Sequence, residues 1–134
     1  MKNVILLLFS IILFSCSSDD DSNSEFIVGK WVATKIFESG VEVDLNVCNQ
    51  NTVFEFYSDS TLRNYLINED QIPQNVLCGL LPSDYYEWKI MDDNKYGINH
   101  VNFPENINIT FTRNDNYLDM VYTSSENMVR LKRY

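Results

Sequence analysis

Side chains able to carry out acid–base or metal chemistry are few in this chain and lie far apart. His100 is the one histidine, and the polar stretch 99–102 around it indicates a solvated loop. Glu69 with Asp70, and Asp92 with Asp93, are adjacent carboxylates, whereas a calcium loop needs spaced oxygen ligands. The four glycines form no phosphate-binding loop. We therefore predict no catalytic residue, no metal site and no cofactor, and we do not expect an enzyme.

The first 15 residues have the three parts of a secretory signal. Lys2 supplies a positive charge, residues 4–14 are almost entirely apolar, and Ser15 is the small residue before Cys16. The apolar run is too short for a spanning helix, which needs about 20 residues. These features predict an exported protein with a removable signal at residues 1–15.

Cys16 is the residue for which the sequence indicates a covalent modification. The stretch Leu13, Phe14, Ser15 and Cys16 resembles the lipobox of bacterial lipoproteins. That resemblance implies cleavage before Cys16 and acylation of the cysteine, which anchors the protein stably because several acyl chains are buried. Ordinary secretion with a coincidental cysteine is the alternative.

Residues 16–25 are predicted to be a lipid-anchored acidic tether. Residues 17–24 contain no apolar side chain, so this stretch cannot bury surface and should be disordered. The run from Asp19 to Asp21 resembles acidic export signals that send some lipoproteins of the outer membrane to the cell surface. A plain solvated spacer is the alternative, and either interpretation places the protein in the cell envelope.

Cys48 and Cys78 remain in the exported domain once Cys16 is assigned to lipid. An even pair of cysteines in an oxidising compartment predicts a disulfide. Two buried free thiols are the alternative, and zinc is disfavoured because no CxxC spacing accompanies the single histidine.

Size and charge limit the remaining functions. The mature chain would have 119 residues, enough for one domain with a core, and without Lys2 its formal net charge is −10. Nucleic acids are bound through clusters of Lys and Arg, which this acidic chain lacks apart from Arg130 to Arg133. We therefore exclude a nucleic-acid partner.

Residues 26–134 show the pattern of a single all-β domain. Short stretches rich in aromatic and β-branched residues alternate between apolar and polar, and Ser, Asn, Asp and Gly separate them. They predict about eight strands near residues 29–37, 52–57, 61–67, 85–90, 95–98, 107–112, 117–122 and 128–133. Only residues 69–81 have room for a short helical turn. Such a meander favours an antiparallel up-and-down barrel, with a sandwich as the alternative.

Gly29 and Trp31 open the first predicted strand, and Arg130 and Arg133 lie on the last. This arrangement resembles the lipocalin-like domains of small bacterial lipoproteins, in which a Gly-x-Trp motif meets an arginine of the last strand at the barrel base. The resemblance implies that Gly29, Trp31 and Arg133 (or failing that Arg130) meet there and act structurally through a cation–π contact.

An eight-stranded barrel can hold one small ligand or be filled by its own side chains. In the first case the protein would bind a small hydrophobic ligand, and the lining would be Tyr86, Trp88, Phe111, Met120 and Tyr122. In the second case it would be a surface interaction or structural module with a filled core. The residue pattern leaves both open and names no protein partner.

Overall fold

The computed structural model describes residues 26–81 and 86–134, and within residues 103–108 the backbone alone. The predicted signal at residues 1–15, the lipidation site Cys16 and the whole of the tether at residues 16–25 lie outside the described residues. The structure therefore describes most of the domain predicted for residues 26–134.

The described chain is almost entirely antiparallel β-structure. Its strands are β1 (Gly29–Glu38), β2 (Val41–Val43), β3 (Thr52–Phe56), β4 (Leu62–Leu66), β5 (Tyr86–Asp92), β6 (Lys95–His100), β7 (Phe103–Asn114), β8 (Tyr117–Tyr122) and β9 (Met128–Arg133). One short helix, α1 (Val47–Asn51), precedes β3, and a 3-10 turn spans Glu69–Gln71. The prediction of an all-β domain is confirmed, and helix accounts for very little of it.

The strands form a nearly closed eight-stranded barrel with β2 as an extra ribbon on β1. Their spatial order is β4-β3-β1-β9-β8-β7-β6-β5, so consecutive strands are neighbours and the last pairs with the first. Between β4 and β5 the ladder is reduced to a single bridge, Thr61 with Glu87, near which the Trp88 amide donates to the Ser60 carbonyl at 2.9 Å. The barrel is therefore a continuous sheet with one loosely joined seam.

Turn residues set the register of two of the hairpins. Between β3 and β4, Ser60 has a φ of 71°, and the Asp59 carboxylate accepts hydrogen bonds from the Thr61 amide at 3.0 Å and hydroxyl at 2.6 Å. Between β7 and β8, Asp115 has a φ of 53°. Short polar residues tolerate these left-handed conformations, which explains why both hairpins turn at the polar stretches indicated by the sequence.

A bulge in β1 changes which of its side chains face the interior. Ala33 pairs with Leu131 and Lys35 with Arg130, so Thr34 is the extra residue, and its hydroxyl donates to the Arg130 carbonyl at 3.0 Å. The bulge interrupts the strict alternation along the strand, since successive strand residues otherwise point to opposite faces. Ile36 is consequently buried although it lies an odd number of residues beyond Trp31.

Aromatic side chains fill one half of the barrel. Phe56 lies 5.2 Å from Phe111 and 6.5 Å from Trp88 between ring centroids, and Trp88 lies 6.3 Å from Tyr96. All four rings are buried, and the edge-to-face angles are those that aromatic pairs prefer. This half of the interior is a packed core.

The end of the barrel where β1 begins is closed by Trp31. Its side chain is fully buried, and its indole Nε1 donates to the Ile27 carbonyl at 2.8 Å. Arg133, its partner in the β1–β9 register, places its guanidinium carbon 4.7 Å from the indole centroid. The same guanidinium donates to the carbonyls of Val28 at 2.8 Å and Phe26 at 2.5 Å. The expected contact between Trp31 and Arg133 is therefore present and is supported by hydrogen bonds on both sides.

Gly29 is required by this arrangement. Its φ is +132°, a conformation that L side chains rarely adopt. A Cβ at this position would lie 2.5 Å from Nη1 of Arg133. Gly29, Trp31 and Arg133 thus meet at one end of the barrel.

An ion pair on the outer surface joins β8 to β9. Asp119 accepts from Nε of Arg130 at 2.7 Å and from Nη2 at 2.8 Å, and Asn114 donates to it at 3.0 Å. Burial alone would raise the pKa of Asp119, but the hydrogen bonds from Arg130 and Asn114 lower it below its usual range. The pair therefore stabilises the fold above the unfolded-state pKa of about 4, and this contribution is lost as the pH falls through the lower, folded pKa.

Candidate functional site

A cavity of about 440 Å³ opens at the end of the barrel opposite Trp31. Strands β1, β4 and β8 end here, and β3 and β9 begin here, so five strands contribute to its wall. Bulky aromatic residues fill the half of the barrel near Trp31, whereas the lining at this end includes the small Ala33 and several polar side chains. The barrel therefore combines a packed half with an open cup.

The cup is lined by both apolar and polar side chains. The apolar ones belong to Ala33, Ile36, Phe54, Leu77, Leu81, Met120 and Val129. The polar ones belong to Glu38, Asn46, Asn49, Thr52, Asn64, Tyr122, Ser125 and Asn127. Small-molecule sites typically join an apolar surface to a few polar groups that orient the ligand.

The helix α1 and the disulfide form one side of the cup. The Asn46 side chain caps α1 by accepting from the Asn49 amide at 2.9 Å. Cys48 is bonded to Cys78, with 5.4 Å between the Cα atoms, which confirms the predicted disulfide. The bridge attaches α1 to the irregular segment that contributes Leu77, Gly79 and Leu81 to the lining. A covalent link thus fixes a wall that no strand supports.

Asn64 is the polar residue of the cup that lies deepest in the β-sheet. It pairs with Phe54 in the β3–β4 register, and Leu62 and Leu66 occupy the neighbouring positions on the same face of β4. Asn64 is only 8% exposed, and its Oδ1 has no hydrogen-bond partner within the described part of the protein. Sequence reasoning missed this residue, although an asparagine between two inward leucines is the signal that identifies it.

Two of the five residues predicted to line a ligand site, Met120 and Tyr122, belong to the wall of the cup. Tyr122 is partly exposed, and desolvation raises the pKa of its hydroxyl.

The other three predicted lining residues are not in the wall of the cup. Trp88 and Phe111 belong to the packed aromatic half, and the Trp88 indole donates to the Tyr57 carbonyl at 2.9 Å. Tyr86 packs its ring 5.4 Å from that of His100. These three residues therefore lie outside the cup, because alternation shows which side chains face inward but not their depth along the barrel.

The structure places His100 at the end of β6, not in the loop that its polar neighbours indicate. Its backbone pairs with Tyr86 and Phe103, so pairing on both sides extends the strand beyond its apolar residues. Its Nδ1 accepts from the Asn102 amide at 3.1 Å. Glu69 and Asp70 lie in the 3-10 turn and Asp92 and Asp93 at the β5–β6 hairpin, as turn residues.

Over residues 26–81 and 86–134, no three His, Cys, Asp or Glu side chains come together as a metal ion would require. The helices of this same part of the chain are too short and too polar for any of them to cross a membrane. Compared with known protein families and with curated proteins, the sequence finds a match in neither. A functional proposal for this protein therefore depends on the residues of the cup.

Proposed function

We propose that this protein binds a small, largely apolar molecule in the cup and is held in the cell envelope by lipid on Cys16. The observation that supports ligand binding is the cup itself. Its volume of about 440 Å³ lies within the range of roughly 300–1,000 Å³ found for small-molecule sites. Its wall of Ala33, Ile36, Met120 and Val129 provides apolar surface, and its opening provides access.

The packed half of the barrel limits where a ligand can sit. Phe54 lies 6.3 Å from Phe111 at the boundary between the two halves, so the aromatic core forms the floor of the cup. A completely filled interior would favour the alternative function, a surface interaction module without a ligand. The half of the barrel near Trp31 is filled, but the half that contains the cup is not. The open half supports binding, which is why we favour a ligand over a purely structural role.

Filling the cup should abolish binding. We expect Ala33→Phe to weaken binding of the neutral fluorescent probe N-phenyl-α-naphthylamine at least tenfold, because Ala33 lines the cup and a phenyl ring there would take up part of its volume. The matched control is Val32→Phe, which adds a ring at the next position of β1, on the opposite face of the strand. Fluorescence titration measures both. Residues 17–134 suffice, because every described strand and the disulfide lie within them.

Two results would contradict the binding proposal. One is that the wild-type protein fails to enhance the fluorescence of the probe. The other is that Ala33→Phe and Val32→Phe bind the probe equally well, which would place the probe outside the cup. Thermal unfolding of both variants shows whether each retains the fold, since overpacking can cost about 1–3 kcal/mol.

The lipid anchor is tested separately from the ligand. We expect mass spectrometry of the protein extracted from membranes to show acyl mass on residue 16 and no residue before it, because the lipobox resemblance implies cleavage and acylation at Cys16. The Cys16→Ser variant is the control and should carry no acyl mass. A mature chain that begins elsewhere, or that is soluble without detergent, would exclude the anchor and leave the ligand proposal standing.

A further inference from the structure

Asn64 is an exception to the way this barrel is built. The other inward positions on β3 and β4 are Thr52, Phe54, Phe56, Leu62 and Leu66, and all of these except Thr52 are apolar. Asn64 occupies the position between the two leucines and is more than nine-tenths buried, with 8% of its surface exposed. Asn64 lines the cup, and its carbonyl oxygen, Oδ1, is buried without a hydrogen-bond partner within the described residues.

Two other polar groups of the cup already have partners in the protein. The Thr52 hydroxyl donates to the Cys48 carbonyl at 2.8 Å. The Asn46 carboxamide oxygen accepts from the Asn49 amide at 2.9 Å. These residues are therefore used in holding α1 and its connection to β3, whereas Asn64 is not.

An unpaired buried acceptor is unfavourable, because the group loses its hydrogen bonds to water and gains none in exchange. Leucine would fill the same strand position without that penalty, as it does at positions 62 and 66. Residues that break the local folding pattern in this way are expected at functional sites. The unpaired oxygen therefore points to a ligand that supplies the missing donor.

We propose, on the basis of the binding function above, that Asn64 selects ligands carrying an N–H or O–H donor, which bonds to its Oδ1. The apolar body of the ligand then lies against Met120, Ile36 and Val129. Glu38 is the one charged side chain among the described residues that line the cup, and the chain as a whole is acidic. Both charges disfavour anions, so the ligand class is a small amphipathic molecule with a donor group and no negative charge.

The test uses two probes that differ in one donor. N-phenyl-α-naphthylamine has a single N–H, and its N-methyl derivative has none. We expect wild-type residues 17–134 to bind the first about tenfold more tightly, which corresponds to about 1.4 kcal/mol. In Asn64→Leu the two probes should bind equally, and the ligand-free variant should melt no lower than wild type. Asn94→Leu is the control, because Asn94 is an exposed residue of the β5–β6 hairpin and does not line the cup, so the preference of this variant for the first probe should be unchanged.

Each outcome separates the inference from the binding function. Equal binding of both probes to wild type, or a preference that persists in Asn64→Leu, would overturn the role of Asn64 while leaving the cup as a binding site. Failure of both probes to bind wild type would count against the binding function itself. A marked fall in melting temperature for Asn64→Leu would show that Asn64 is structural and also overturn the inference.

Discussion

Replacing Trp31 by alanine should lower the free energy of unfolding by about 3–5 kcal/mol, the range for removal of a buried large aromatic. The indole is fully buried among the residues that close one end of the barrel, and its Nε1 donates a hydrogen bond to the Ile27 carbonyl. The change would also leave the Arg133 guanidinium without the ring on which it lies. Denaturant unfolding followed by circular dichroism measures the loss.

Two variants divide this effect into its parts. Trp31→Phe keeps most of the ring but removes the bond to Ile27, so it should cost less than alanine. Arg133→Met keeps an apolar contact but removes the two hydrogen bonds to the carbonyls of Val28 and Phe26. A loss below about 1 kcal/mol for Trp31→Ala would mean that Trp31 does not hold this end of the barrel together, since full burial of a large side chain should contribute more.

Removing the Cys48–Cys78 disulfide should cost roughly 3–4 kcal/mol, because the bridge closes a loop of 30 residues and restricts the unfolded chain. The paired change Cys48→Ala with Cys78→Ala avoids an unpaired thiol. Binding of N-phenyl-α-naphthylamine should also weaken, because the bridge fixes the segment that contributes Leu77 and Leu81 to the cup. Denaturant unfolding and fluorescence titration on the same samples measure the two effects.

A reducing agent provides the control for the disulfide. It should destabilise the wild-type protein to a similar extent and leave the double variant unchanged, because the variant has no bridge to reduce. If reduction changes neither stability nor binding, the bridge does not brace the cup, and the wall at Leu77 would have to be held by other contacts.

Local patterns were enough to predict the sheet. Alternation in residues such as Leu118, Asp119 and Met120 indicates a strand whatever its neighbours are, since side chains of a strand point alternately to opposite faces. Polar turns at Ser60 and Asp115 bounded those strands correctly. The helix α1 and strand β2 were missed, because five and three residues are too few to show a period.

By itself, the sequence determined the β-class and the order of the hairpins, because both follow from residue types and from neighbours along the chain. It also predicted the disulfide from an even pair of cysteines, and its resemblance to lipocalin-like domains implied the meeting of Trp31 with Arg133. Only the tertiary structure decided where the cavity lies, since depth along a barrel depends on how strands are staggered against one another. That stagger placed Trp88 and Phe111 in the packed half and left Asn64, a residue without a distinctive motif, buried beside an open cup.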